Sequence, residues 1–287
     1  MGGGAWPFLV GMPLTLLINQ SFHEGSFPDL LKVALIKPIH KKGDTNIPEN
    51  YMPIALLPSF SKVFEKAMFD RLCIFLEKYN ILDEHQNGFR RTKSTTLAVY
   101  QYIQTALQHI NEKSYGLGLL LDMSKVYESV DYSILQSKLL YGSGIRGPCF
   151  SWFKSYLHNR KQKIQIQNYD SKQSEIQSVV SQAKTITCSI PQGKVLGCVL
   201  FLICINDLPK IVKNNMIMPV LFADDISILI KCNNIDTANS ILDETIRVQS
   251  INTWLKSHNL NIDFNKTKII QFTSYNKSPL DTNVTYF

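Results

Sequence analysis

The 287-residue chain has no Cys-x-x-Cys pair, and none of its six cysteines has a histidine partner at zinc-site spacing. Cys73, Cys149, Cys188, Cys198, Cys204 and Cys232 therefore read as reduced core residues. No disulfides are expected, and the setting is intracellular, cytoplasm or nucleus, rather than secreted. There is no His-Glu-x-x-His, no Gly-x-Ser-x-Gly and no Walker loop, which removes zinc proteases, serine hydrolases and P-loop enzymes. No apolar run approaches the length of about 20 residues that spans a bilayer. The two longest, 8–18 and 195–205, read as buried helices, so no membrane partner is expected. No Lys or Arg precedes the first, unlike a signal peptide. Gly2 invites myristoylation, but Trp6 stands where a Ser or Thr is needed. Repeats and low-complexity tracts are also missing.

What is present is globular. Hydrophobic residues make up 45% and charged residues 18%, enough for a sizeable core. Thirty basic against 23 acidic residues give a net charge of +7, which favours an anionic partner such as nucleic acid. Helical periodicity predicts helices over 12–22, 59–79, 95–113, 131–140, 149–159, 195–207 and 235–255. Short apolar runs predict strands over 33–39, 117–121, 164–167, 176–180, 185–190, 260–263 and 269–272. Their order has no regular βαβ rhythm, so the fold class is α+β.

One stretch carries the chemistry. Apolar runs flank Asp224-Asp225, which predicts a β-hairpin with its turn there. An ordinary surface turn is the plain alternative, because Asp favours turns. Two adjacent like charges with no cation nearby resist joint ionisation unless a divalent ion sits between them. Asp122 offers a third carboxylate at the end of the strand 117–121, although a strand-end polar residue needs no further role. Together the three could hold two Mg²⁺ ions about 4 Å apart, a set that serves phosphoryl transfer.

Seven blocks in order give these residues a context. Asp122-Met123-Ser124-Lys125-Val126-Tyr127 resembles the D-[LM]-S-K-A-F block of reverse transcriptases from non-LTR, LINE-type retrotransposons, with jockey-like elements the nearest kind. Ile190-Pro191-Gln192-Gly193, Ile205-Asn206-Asp207-Leu208 and Phe222-Ala223-Asp224-Asp225 resemble V-P-Q-G, I-N-D-L and F-A-D-D. Upstream, Lys41-Lys42-Gly43-Asp44, Tyr51-Met52-Pro53-Ile54 and Gln86-Asn87-Gly88-Phe89-Arg90 resemble K-K-G-D, Y-R-P-I and Q-x-G-F-R.

The resemblance implies an RNA-directed DNA polymerase of right-hand design, a nucleotidyltransferase with fingers and an antiparallel palm sheet packed on helices. It implies a helical extension over 1–30, mainly fingers over 31–115, mainly palm over 116–273 and a polar tail over 274–287. The reverse transcriptase domain would cover about 20–273, with the thumb missing or truncated and no endonuclease domain ahead of it. Asp122, Asp224 and Asp225 would hold two Mg²⁺, with Mn²⁺ a substitute. Tyr127 would lie under the sugar of the incoming nucleotide and exclude a 2′-hydroxyl. Gln192, Gly193, Lys41, Lys42 and Lys266 would contact the nucleotide. Arg90, Arg91, Lys93, Arg160, Lys161 and Lys163 suit phosphate contacts in a groove for an RNA template and DNA primer.

The chain also departs from the pattern. Met52 stands where the family has an Arg that pairs with the triphosphate, a bidentate task closed to Met. Lys194 replaces Ser, Ser189 replaces Gly, Cys198 replaces Pro, Glu128 replaces Asp and Asn87 replaces an aromatic residue. A catalytically impaired relic that keeps the fold is therefore the alternative to an active polymerase.

Overall fold

The computed structural model describes residues 6–124, 126–170, 175–190, 195–234, 237, 251–263 and 265–273. In chain order the elements are α1 (Trp6–Glu24), β1 (Val33–His40), β2 (Tyr51–Leu56), α2 (Ser59–Lys78), α3 (Thr95–Asn111), β3 (Tyr115–Leu121), β4 (Met123–Ser124), α4 (Val126–Ser129), α5 (Tyr132–Ser137) and α6 (Gly147–Leu157). There follow β5 (Lys161–Asp170), β6 (Glu175–Val180), β7 (Lys184–Thr185), α7 (Val195–Cys204), α8 (Leu208–Val212), β8 (Ile217–Phe222), β9 (Asp225–Cys232), a helix Ile251–Ser257, β10 (Asn261–Ile262) and β11 (Lys268–Phe272). They form two compact units, each built from two separate stretches of chain: Met1–Leu76 with Asp131–Gly197, and Glu77–Val130 with Cys198–Phe287. Of the helix expected over 235–255, residues 237 and 251–255 are described and helical. Positions 235, 236, 238–250 and the tail 274–287 lie outside the described residues.

In the first unit, β2, β1, β5 and β6 form one sheet in that order, with β7 on β5. The β1–β5 pair is parallel and the others are antiparallel. The helices bury their apolar stripes here. Phe64, Met68 and Leu72 of α2 repeat every four residues and are buried. Trp152 and Tyr156 of α6, also four apart, stack with ring centroids 5.4 Å apart. Phe27 meets both rings edge-on, at 5.3 and 5.1 Å. The Trp152 Nε1–H donates to Ser21 Oγ of α1 at 3.0 Å, so the indole has both its apolar body and its polar tip satisfied.

A strand expected over 185–190 forms only at Lys184–Thr185. Cys188 makes an isolated bridge to Asp131, and Ser189 ends the run with a φ of +94°, in the left-handed region that L side chains avoid. This is a position where the resembled family carries Gly, so Ser here holds a strained backbone. Its carbonyl accepts from Tyr132 Oη at 2.8 Å, which helps to fix that conformation.

The second unit is organised on an all-antiparallel sheet, β11-β3-β9-β8. Successive residues of β3 face opposite sides. Leu117, Leu119 and Leu121 are buried on one side. On the other, Gly118 carries no Cβ because Tyr102 of α3 is there: an added Cβ would lie 1.8 Å from its hydroxyl. Gly118 thus lets a helix lie close on the sheet, and α3 contacts β3, β8 and β9. The window Val195–Val212 has a mean hydropathy of 2.0, long and apolar enough to cross a membrane by composition, yet 67% of it is buried. It breaks into α7 and α8, as a core segment does.

Candidate active site

The three aspartates belong to the second unit and meet at one end of its sheet. β3 and β9 pair antiparallel with Leu121 opposite Ile226. One step further along this register, Asp122 comes level with Asp225. Phe222 pairs with Asp225, so the hairpin closes over a two-residue turn, Ala223-Asp224. The turn is thus one residue earlier than the sequence suggests, and Asp225 is the first residue of β9. Register decides this: pairing Asp225 with Phe222 keeps Ile226, Ile228 and Ile230 in the buried core. Asp122 is held on its other side as well, because its carbonyl accepts from the Asp263 N–H at 2.8 Å. β10 continues that contact by pairing with β4.

Electrostatics ties the three side chains together. Burial, then the charge of Asp224, then that of Asp122 push the Asp225 carboxyl above its ordinary value. Lys266 lies beside them, with Nζ 3.1 Å from Asp263 Oδ2 and 3.7 Å from Asp122 Oδ2. The Asp263 hydrogen bond and then the Asp122 charge raise the Lys266 ammonium above its usual range, so it stays protonated. Three carboxylates with all-oxygen donors fit a hard divalent cation. Their side chains are not drawn into a closed cage, however: among the described residues no three His, Cys, Asp or Glu side chains form a metal-holding group. Register brings the three aspartates to one end of the sheet, where Asp224 and Asp122 influence Asp225.

Tyr127, on α4, is half-buried with its ring 5.1 Å from that of Phe201. Burial and then the charge of Asp224 push its phenol well above the ordinary tyrosine value, with Asp225 adding to the effect. Tyr127 therefore stays neutral beside the carboxylates.

The expected basic contacts divide. Arg90 is not available to phosphate: its Nε and Nη2 grip the Glu77 carboxylate at 3.0 and 2.9 Å, and Nη1 donates to the Asp83 carbonyl at 2.9 Å. It is a clamp on its own loop. Lys93 donates from Nζ to the Glu84 carbonyl at 3.1 Å, while Arg91 is exposed. Arg160 is likewise no groove residue. It is 1% exposed, with its guanidinium 4.6 Å over the Tyr156 ring and Nη1 donating to the Tyr156 carbonyl. The chain leaves α6 at Leu157 and turns back, so Arg160 stacks on the Tyr156 ring. Lys161 and Lys163, two apart on β5, are exposed, as are Lys41 and Lys42 after β1. Gln192 and Gly193 lie outside the described residues.

Two residues that the sequence quoted without a role prove structural. Asn206 accepts from the Asp83 N–H at 2.8 Å and donates to the Ile81 carbonyl at 2.7 Å. Gln86 reaches the aspartate turn itself, accepting from the Ala223 N–H at 2.9 Å. Their only signal in the sequence is membership of the ordered blocks.

Comparison with known proteins agrees with this geometry. Residues 39–282 match the family model for reverse transcriptase (RNA-dependent DNA polymerase). The chain is 30% identical to the probable RNA-directed DNA polymerase from transposon X-element of Drosophila melanogaster, over 93% of this chain and 28% of that protein. It is 27% identical to the RNA-directed DNA polymerase from mobile element jockey of the same organism, over 91% of this chain and 28% of that protein. The chain thus spans under a third of the length of these relatives. Among solved structures, telomerase from Candida albicans in complex with a telomeric RNA fragment superposes with a TM-score of 0.56 at 12% identity, covering 92% of this chain and 46% of that one. Apo telomerase from Candida tropicalis gives 0.57 at 12%, covering 91% and 49%. At such identities the likeness is one of fold. Matched over most of its described length, and with an aspartate-bearing hairpin beside a strand-end aspartate, the chain belongs to the reverse transcriptase (RNA-dependent DNA polymerase) family, with similarity to the polymerases of the X-element transposon and the mobile element jockey.

Proposed function

We propose that this chain is the polymerase domain of a retrotransposon reverse transcriptase, adding deoxynucleotides to a DNA primer on an RNA template. The observation that carries the reading is the register that brings Asp122 level with Asp225 beside the Ala223-Asp224 turn. In the reaction the primer 3′-oxygen forms a bond to the α-phosphorus, the bond from that phosphorus to the bridging oxygen breaks, and pyrophosphate leaves. The 3′-hydroxyl proton passes to solvent. Two Mg²⁺ ions, for which Mn²⁺ can substitute, would supply activation of the primer oxygen and charge neutralisation at the leaving group. Asp122, Asp224 and Asp225 would hold them. Tyr127, neutral and backed by Phe201, would present its ring to the sugar and exclude a 2′-hydroxyl. Lys266, protonated beside Asp122, would pair with the leaving pyrophosphate. Lys41, Lys42, Gln192 and Gly193 would meet the triphosphate, and Arg91, Lys93, Lys161 and Lys163 the nucleic-acid backbone.

Met52 sets the expected rate. It sits on β2 opposite Ile39, half-buried, with no group that can grip a phosphate. A charge-assisted hydrogen bond contributes about 1.5–3 kcal/mol. Met52→Arg is therefore expected to raise kcat/KM for deoxynucleotide addition about 10- to 100-fold, by the relation of rate to barrier. Primer extension with Mg²⁺, comparing the two chains across deoxynucleotide concentrations, measures this. Equal values would remove position 52 from the triphosphate contacts.

A further inference from the structure

We infer that Gln86 is a positioning residue that fixes the aim of Asp224 and Asp225 through the backbone of Ala223. The inference rests on the polymerase reading above and extends it to a residue outside the carboxylate set.

Ala223 has a φ of +56°, a left-handed conformation that a non-glycine residue holds only when its surroundings impose it. One side chain meets both of its backbone polar groups. Gln86 Oε1 accepts from the Ala223 N–H at 2.9 Å, and Nε2 donates to the Ala223 carbonyl at 3.4 Å. The same Oε1 accepts from the Gly88 N–H at 2.7 Å, so both its lone pairs are used. Gln86 is 2% exposed, so bulk solvent does not compete for these bonds.

The residues around Gln86 are fixed to the same strand. The Leu221 N–H donates to the His85 carbonyl at 2.9 Å and the Asn87 N–H to the Leu221 carbonyl at 2.8 Å. These contacts extend β8 by a parallel bridge between Gln86 and Leu221. Gly88 packs directly on the turn: a Cβ there would lie 2.3 Å from the Ala223 nitrogen. The loop is anchored behind by Arg90 on Glu77 and by Asn206 on Asp83. Gln86 thus joins a rigid loop to a strained residue directly before the two aspartates. A rotation at Ala223 redirects both carboxylates, and a misplacement of about 1 Å at a reacting centre costs on the order of 100-fold in rate.

The test compares Gln86→Met, which keeps size and loses the amide, with Gln86→Glu, which keeps the acceptor oxygens and loses the donor. Amide hydrogen exchange at Ala223 and Gly88 reads the turn without reference to activity. Primer extension on an RNA template then separates kcat from KM. Gln86→Met is expected to speed exchange at both amides and to lower kcat about 10- to 100-fold, with KM for the deoxynucleotide unchanged. Gln86→Glu is expected to restore protection at both amides and part of kcat. Unchanged Ala223 exchange in Gln86→Met, or equal changes in kcat and KM, would overturn the inference. Failure of the wild-type chain to extend any primer would count against the polymerase reading instead, and the exchange result would still decide the role of Gln86 at the turn.

Discussion

Asp225→Asn is expected to lower primer extension by at least about a thousandfold, since a group that holds the ions contributes several kcal/mol to the transition state. In buffer without divalent ions the same variant is expected to melt at a higher temperature than wild type. Both outcomes have one origin. Burial and the charges of Asp224 and Asp122 raise the Asp225 carboxyl in the folded chain. An acid with a raised folded pKa binds more protons folded than unfolded, so its effect on stability is small below the unfolded value and turns unfavourable as pH rises through the folded value. At pH 7 the ionised carboxylate therefore opposes folding, and asparagine removes that opposition. The gain in melting temperature should be present at pH 7 and fade as the pH falls through the raised folded value towards about 4, the ordinary unfolded carboxylate value. Asp225 is exposed enough to solvent that screening keeps the gain modest, although its carboxyl is partly desolvated. Thermal melts at the two pH values and extension assays on both chains measure it. Wild-type extension by Asp225→Asn would remove this residue from the reacting centre.

The second large effect is on stability. Trp152→Ala is expected to cost about 3–5 kcal/mol, the range for deleting a buried aromatic side chain. The indole is fully buried and touches the rings of Phe22, Phe27, Phe153 and Tyr156, with centroids at 5.6, 5.3, 5.4 and 5.4 Å. No neighbour can collapse into the space without breaking its own edge-on contacts. The bond to Ser21 Oγ, which ties α6 to α1, is lost as well. Trp152→Phe keeps a ring in place and should cost roughly half as much, since it retains part of the buried area. Urea denaturation with the slope compared between chains measures both. A cost below about 1 kcal/mol for Trp152→Ala would mean that the aromatic cluster does not hold this unit together.

What the sequence revealed was local. The aspartate hairpin was legible because short apolar runs alternate around two polar residues, and Asp122 because it ends such a run. The turn was misplaced by one residue because turn preference favours Asp at either position, while strand register, which is set by the buried isoleucines, places Asp225 in β9. Arg90 and Arg160 suit phosphate contacts by sequence because composition treats arginine as solvated. Their burial depends on partners, Glu77 and Tyr156. The 185–190 run looks like a strand because its apolar residues alternate, but it pairs only at Lys184–Thr185 and through one bridge at Cys188. Gln86 was invisible for a different reason: its partner, Ala223, is 137 positions away. The same holds for the parallel pairing of β1 with β5, which no periodicity encodes.

The most direct measurement is single-nucleotide addition by the wild-type chain to a DNA primer on an RNA template, with Mg²⁺ and each deoxynucleotide or ribonucleotide offered alone. The account predicts slow addition of the template-matched deoxynucleotide, little of its ribonucleotide counterpart, and none when Mg²⁺ is chelated. Addition that ignores the template, that persists under chelation, or that is absent from both wild type and Met52→Arg would contradict it.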